Sequence, residues 1–110
     1  MVMTMPSTWV ILVNYNGAED TIECIRSLQA TKMDNMRILI VDNASKEQDK
    51  EQLQTVLDDK VECLFLPENL VFGVANNKGV AYALSQNAEY LLLLNNDTVV
   101  SQDLFCVFYE

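Results

Sequence analysis

The chain is predicted to fold as an α/β domain with a mostly parallel sheet and helices on both faces. Short apolar runs alternate with longer segments whose apolar residues recur every three or four positions. Apolar runs without polar alternation are typical of strands that are covered on both faces of a sheet. The resulting order, βαβαβαβ, favours parallel pairing with right-handed crossovers.

The four predicted strands are short, and each is followed by a polar residue or proline. They are Trp9–Val13, Arg37–Val41, Val61–Leu66 and Tyr90–Leu94. The last strand contains four consecutive leucines, which favours a position in the middle of the sheet with cover on both faces.

Three helices are predicted between these strands. The first runs from about Ala18 to Ala30 and has carboxylates in its first turn, where they favour the positive end of the helix dipole. The second is indicated by Leu53, Val56 and Leu57. The third runs from about Val74 to Gln86.

Composition limits the functions open to the chain. Its 110 residues are enough for one domain with a real core, and no apolar run approaches the roughly 20 residues of a membrane span. The formal net charge of −9 and the lack of histidine argue against a nucleic-acid surface and Ser-His-Asp hydrolysis. The cysteines, Cys24, Cys63 and Cys106, are far apart, so buried structural thiols in a reducing, cytoplasmic setting are expected.

Three of the predicted strands run directly into amides and carboxylates. Asn14–Asn16 follows the first strand, Asp42-Asn43 the second and Asn95–Asp97 the fourth. Ligands of parallel α/β sheets bind outside the carboxyl ends of the strands, so these segments predict one shared polar rim. With only three glycines, the chain can form neither G-x-G-x-x-G nor a Walker loop. Phosphates would therefore need a divalent cation together with backbone and amide donors.

Four segments carry a more specific pattern. They are Val10–Gly17, Ile40–Ser45, Asn69–Gly79 and Leu94–Asp97. In this order and spacing they resemble family 2 glycosyltransferases and, more narrowly, the bacterial rhamnosyltransferase-like branch. The resemblance covers Thr8 to Leu104. It implies that residues 1–110 form the Rossmann-like, nucleotide-sugar-binding N-terminal half of a glycosyltransferase A-type fold, with the rest of the enzyme missing.

The resemblance also implies roles for individual residues. Tyr15 would supply an aromatic face to the nucleobase, and Asp42 would accept hydrogen bonds from the base or the ribose. Asp97 ends a motif that corresponds to D-x-D and would coordinate Mg²⁺ or Mn²⁺ bridging the donor diphosphate. The other expected donor-binding residues are Asn14, Asn16, Asn43, Asn77, Asn95 and Asn96.

The chain departs from the family pattern at three positions. Asn95 stands where an acid is common, so metal affinity is expected to be weak unless nucleotide is present. Val71 and Val74 stand where glycine is usual, so the backbone must avoid positive φ at both places.

Simpler structural roles remain open for several of these residues. Asp42 and Asn43 would equally serve as a turn pair that satisfies local backbone groups. Asp97 would cap a following helix, and Asn77 would cap its own backbone at a helix start. Lys78 would either neutralise phosphate or remain a solvated surface residue.

The resemblance implies an intact enzyme that transfers a sugar from a nucleotide diphosphate donor to a carbohydrate or lipid-linked acceptor hydroxyl, with inversion. The donor would be dTDP-rhamnose or a UDP-sugar, and the pathway cell-surface polysaccharide synthesis. The catalytic base is expected beyond the end of this chain, so the fragment alone should be inactive. A cytoplasmic location is expected, with the inner face of the membrane as an alternative for the intact protein.

Two other classes of function stay open. A receiver-like signalling module has similar length and topology, although it needs paired acids after the first strand, where Asn14 and Asn16 are uncharged. A non-catalytic interaction domain is the second. It is favoured by the apolar stretch Leu104–Tyr109, which also predicts self-association.

Overall fold

A computed structural model describes residues 7–101, in which strands and helices alternate strictly. The elements are β1 (Thr8–Asn14), α1 (Ala18–Gln29), β2 (Met36–Asp42), α2 (Glu47–Gln54), β3 (Val61–Phe65), α3 (Phe72–Ser85) and β4 (Tyr90–Leu94). All pairings are parallel, and the strand order is β3-β2-β1-β4. The predicted α/β fold with a parallel sheet is confirmed.

The sheet is covered by helices on both faces, as predicted. Alternate strand residues point to opposite sides, which is the two-residue period of a β-strand. One face packs under α1 and α2, through Val10, Leu12, Ile38, Ile40, Ile25, Leu28 and Leu53. The other packs under α3, through Trp9, Ile11, Val13, Leu39, Val41, Ala75 and Ala83.

The helix α3 lies unusually close to the sheet because its buried face consists of small residues. Ala75, Gly79 and Ala83 recur every four positions and are all buried. A Cβ atom added at Gly79 would lie 2.7 Å from Val41 Cγ2 and 2.8 Å from Ile11 Cγ2. A side chain larger than hydrogen fits there only if the helix or the side chains of Val41 and Ile11 shift.

The strand β4 differs from its prediction. Within residues 7–101 it pairs only with β1, so it is an edge strand of the described sheet and not a central one. Leu92 and Leu94 pack toward α1, and Leu91 packs toward α3, but Leu93 is 51 % exposed. Cover is therefore present on both faces but incomplete on the face of α3, because α3 lies mainly over β1 and β2.

Two predictions concern the ends of the chain and the membrane. Leu104–Tyr109 and Cys106 lie outside the described residues. Among the helices of residues 7–101, none has both the length and the apolar composition needed to cross a bilayer.

Candidate functional site

Parallel pairing brings the carboxyl ends of β1, β2 and β4 to one edge of the sheet. Asn14 and Asp42, the last residues of β1 and β2, pair with each other, and Leu12 pairs with Leu94 at the end of β4. The backbone N–H of Asn43 donates to the carbonyl of Asn14 at 2.8 Å, which joins the two chains just beyond the sheet. The three predicted polar segments therefore begin at a common edge.

The Asp42 side chain is fully buried, and both of its carboxylate oxygens accept hydrogen bonds from the protein. Oδ1 accepts from Asn14 Nδ2 at 2.9 Å and from Ser45 Oγ at 2.6 Å, and Oδ2 accepts from the Ser45 N–H at 3.1 Å. The bonds to Ser45 are those of a turn closed by a carboxylate three residues earlier. Asp42 thus holds the corner between β2 and α2, and its contact with a donor stays a prediction.

Asn14 is also fully buried, and its amide joins three elements of the fold. Nδ2 donates to Asp42 and, at 2.7 Å, to Asp49 Oδ2 of α2, while Oδ1 accepts from Thr21 Oγ1 of α1 at 2.7 Å. The other oxygen of Asp49 accepts from the N–H of Ala18 at 2.9 Å, at the start of α1. Both amide atoms of Asn14 are therefore engaged inside the protein.

Three residues of this corner were missed by sequence reasoning. Ser45 had a local signal, since a serine three residues after an aspartate is a common turn pattern. Thr21 and Asp49 had none, because the bonds of Thr21 to Asn96 and of Asp49 to Asn14 join residues that are distant in sequence and are brought near only by packing. Asp49 reads in the sequence as an ordinary acid in the first turn of α2.

Tyr15 and Asn16 form the loop that leaves β1. Asn16 has a left-handed backbone with a φ of 52°, which asparagine tolerates better than most residues. Its N–H donates to Ser45 Oγ at 2.8 Å, and its Oδ1 accepts from the N–H of Lys46 at 2.8 Å. The loop is held at Asn16, whereas the ring of Tyr15 is 56 % exposed.

Asn43 ties the loop before α3 to the end of β2. Its Nδ2 donates to the Leu70 carbonyl at 2.8 Å, and its Oδ1 accepts from the Leu70 N–H at 2.7 Å, as a neighbouring strand would. Asn77 is exposed and lies in the second turn of α3, because that helix begins at Phe72, two residues earlier than predicted. It does not stand at the helix start.

The segment after β4 is a turn that leans on α1. The N–H of Thr98 donates to the carbonyl of Asn95 at 3.1 Å, and Asn96 Nδ2 donates to Thr21 Oγ1 at 3.1 Å. Further along, the Val100 N–H donates to Ser27 Oγ at 3.1 Å. Asn95 and Asp97 are exposed on either side of the anchored Asn96. Residues 98–101 are not helical, so Asp97 caps no helix within the described residues.

Two thiols are influenced by the acids of the edge, and of these Cys24 is buried as expected, whereas Cys63 is only half-buried, contrary to the expectation. Burial, followed by the charge of Asp97, raises the pKa of Cys24 to about 11, although a backbone hydrogen bond from Thr98 opposes the shift. Burial, followed by the charge of Asp42, raises the pKa of Cys63 to about 12. Both thiols therefore stay protonated at neutral pH and are poor nucleophiles.

The donor set of the edge fits a metal ion only in part. Across residues 7–101, no group of three or more His, Cys, Asp or Glu side chains is placed to hold a metal. Asp97 offers one exposed carboxylate, and Asn95 offers an exposed amide oxygen beside it. Mg²⁺ is often held by one or two carboxylates together with substrate phosphates. These residues suit an ion that arrives with a diphosphate.

Comparison with known proteins agrees with this geometry. The family model described as glycosyl transferase family 2 matches residues 9–110. A search of curated proteins gave no match. The family match favours the transferase interpretation over the receiver-like and interaction-module alternatives.

Solved structures show the same fold. The mannosyltransferase PcManGT from Pyrobaculum calidifontis, in complex with GDP-Man and Mn²⁺, is 19% identical with a TM-score of 0.77 over 93% of this chain and 31% of that one. TarS 1–349 of S. aureus is 24% identical with a TM-score of 0.67 over 94% of this chain and 31% of that one. The chain thus spans about a third of each, and the likeness confirms the glycosyltransferase A-type fold.

Proposed function

This chain belongs to glycosyl transferase family 2, and from that premise we propose that it forms the donor-binding part of an enzyme that transfers a sugar from a nucleotide diphosphate to an acceptor hydroxyl, with inversion. One observation carries the proposal. An exposed aromatic ring at Tyr15 and an exposed carboxylate at Asp97 follow adjacent parallel strands at the same sheet edge. Both loops are tied to the same group of hydrogen-bonded residues, the first through the bond of Asn16 to Ser45 and the second through the bond of Asn96 to Thr21.

The proposed contacts divide the donor between the loops. Tyr15 stacks on the nucleobase, and Asn16 and Asn77 offer amides to the donor. Asp97 and Asn95 supply oxygen ligands for Mg²⁺ or Mn²⁺ on the diphosphate. When bound, the ion supplies positive charge to the leaving diphosphate. None of residues 7–101 is assigned as the general base.

Asp42, Asn14 and Asn43 enter the proposal mainly as supports. Asp42 is the predicted acceptor for the base or the ribose, but its side chain is 0 % exposed. A nucleoside would reach it only after the loops above it shift. Asn14 and Asn43 use both amide atoms within the protein. Their proposed part is therefore to hold the neighbouring strand ends and the loop before α3 in place.

The finer features of the proposal concern the substrate and the setting. The donor candidates are dTDP-rhamnose, a UDP-sugar and a GDP-sugar, the last because the mannosyltransferase neighbour was crystallised with GDP-Man. The acceptor is a carbohydrate or a lipid-linked sugar of cell-surface polysaccharide synthesis. The proposed location is the cytoplasm or the inner face of the membrane.

The decisive experiment is a thermal-shift panel of UDP, dTDP and GDP, each with and without Mn²⁺. Mn²⁺ is expected to strengthen nucleotide binding, so that the stabilisation by the nucleotide, about 2.7 kcal/mol when the ligand is at 100 times its Kd, is larger with the ion than without it. Asp97→Ala should abolish the dependence on Mn²⁺. Asp34→Ala, which removes an exposed acid before β2, is the matched control and should leave it intact.

Two outcomes of the thermal-shift panel would contradict the proposed function. If no nucleotide stabilises the protein, with or without Mn²⁺, the donor-binding proposal is wrong. If Asp97→Ala retains the full effect of Mn²⁺, the assignment of the ion to Asp97 is wrong.

A further inference from the structure

Thr21 occupies the point where α1 meets two strand ends. It lies in the first turn of α1 and is fully buried. Its backbone N–H makes the usual helical bond to the Gly17 carbonyl, so its hydroxyl is the group that reaches other elements. Its hydroxyl donates to Asn14 Oδ1 at 2.7 Å and accepts from Asn96 Nδ2 at 3.1 Å. One side chain thus links the end of β1 to the turn after β4.

The hydrogen bonds around Thr21 allow only one orientation. Asn14 Nδ2 faces the carboxylates of Asp42 and Asp49, which can only accept, so the Asn14 amide cannot be reversed. Its Oδ1 must then take the hydroxyl proton of Thr21. The Thr21 oxygen is left to accept, which requires Asn96 to present its Nδ2. The direction of each bond is therefore imposed by the carboxylates of Asp42 and Asp49.

The anchored residue is the middle one of Asn95-Asn96-Asp97. Space around it is small, since a Cβ atom added at Gly17 would lie 3.1 Å from Asn96 Nδ2. While Asn96 is held, Asn95 and Asp97 remain exposed on either side. The placement of the proposed metal ligand Asp97 thus depends on a bond that its neighbour makes.

We propose that Thr21 is a positioning residue for the donor site. Its hydroxyl fixes the turn that carries Asp97 relative to the loop that carries Tyr15, so that an ion on the diphosphate and a base on the ring are bound together. This inference rests on the proposed function, and it assigns to a buried helix residue the coupling between nucleotide and metal binding.

The test compares Thr21→Val with Thr21→Ser in the full chain. Valine has nearly the shape of threonine but lacks the hydroxyl, whereas serine keeps the hydroxyl and loses a methyl group. The Kd of the nucleotide that stabilises the wild type best is measured with and without Mn²⁺ by calorimetry. Thr31→Val is the control, because Thr31 Oγ1 bonds only the Leu28 carbonyl near the other end of α1.

The expected result separates metal coupling from general damage. Thr21→Val should lower the gain in affinity from Mn²⁺ about tenfold while it leaves the Kd without Mn²⁺ within about twofold. Thr21→Ser and Thr31→Val should keep the gain. If Thr21→Val proves too unstable to measure, Asn96→Ala removes the same bond from the half-buried side and should cause the same loss.

Several outcomes would overturn the inference. These are an unchanged gain from Mn²⁺ in Thr21→Val or Asn96→Ala, a serine variant as impaired as the valine variant, or a parallel loss of affinity without the ion. A wild type that binds no nucleotide contradicts the proposed function first, and the role of Thr21 falls with it. The two failures are therefore distinguishable.

Discussion

Asp42 and Asp97 lie at the carboxyl ends of two apolar strands, β2 and β4, that flank β1 in one parallel sheet, yet their surroundings are opposite. Asp42 ends β2, which has a strand on each side, and its carboxylate is buried among the donors of Asn14 and Ser45. Asp97 follows β4, which has one neighbour within the described residues, and it is exposed. Asp42 is therefore a support of the fold, whereas the exposed Asp97 is open to the ligand role proposed for it.

The largest expected effect is the loss of stability on removal of the buried carboxylate, that of Asp42. Asp42→Ala leaves buried donors on Asn14 and Ser45 without their acceptor and should lower the free energy of unfolding by about 3 kcal/mol. Asp97→Ala, its exposed counterpart, should change it by less than about 0.5 kcal/mol. Urea denaturation of both variants measures the difference. Equal losses would contradict the division between support and ligand.

Two glycines of α3 differ in the same way, since Gly79 is packed against the sheet and Gly73 has open space around it. Gly79→Ala places a methyl group against Val41 and Ile11 and should cost about 1–2 kcal/mol despite the better helix propensity of alanine. Gly73→Ala meets nothing within 4 Å and should be neutral or stabilise by up to about 1 kcal/mol. Thermal and urea unfolding of the two variants provide the measurement, and a stabilising Gly79→Ala would show that α3 can move off the sheet.

The smallest expected effect is on the pKa values of Cys24 and Cys63, which respond to the charges of Asp97 and Asp42. Asp97→Asn should lower the pKa of Cys24 but leave it raised, because burial is the larger cause, and Asp42→Asn should do the same for Cys63. In the wild type, the stability due to Cys24 is present below pH 9.0 and is lost as the pH rises toward about 11. Thiolate absorbance titrations follow Cys24 in a Cys63→Ser/Cys106→Ser background and Cys63 in a Cys24→Ser/Cys106→Ser background. A pKa of Cys24 unchanged by Asp97→Asn would show that the charge of Asp97 does not act on this thiol.

Much of the fold was predictable because hydrophobic periodicity is a local property of the sequence and because the alternation of strands and helices implies parallel pairing. The alternation of apolar runs with helical spacing fixed all seven elements, and parallel order required Asn14, Asp42 and Asn95–Asp97 to share an edge. The exposure of Leu93 was not predictable, since it depends on what lies beside β4. The start of α3 was misplaced because Val71, its N-cap residue, makes no side-chain capping bond and gives no signal.

The site was predictable as a set of positions, but not as a set of roles. Asn14 and Asp42 are hydrogen-bonded to Thr21, Ser45 and Asp49, and two of these three, Thr21 and Asp49, are brought there by the packing of α1 and α2. A sequence pattern ranks residues by their chemistry, whereas burial decides which atoms are free to meet a ligand. Tyr15 and Asp97 keep their predicted roles as proposals because their exposure permits them.

The bond from the Ala18 N–H to Asp49 has a wider consequence. In dinucleotide-binding folds the pyrophosphate rests on the N-terminus of the helix after the first strand, where free N–H groups attract anions. Here a carboxylate of the protein itself already takes that place, and the cavity beside it is lined by Glu19 and Asp20 as well. A donor's phosphates would meet repulsion at this helix, which favours the proposed phosphate and metal site at Asp97, after β4, over the N-terminus of α1.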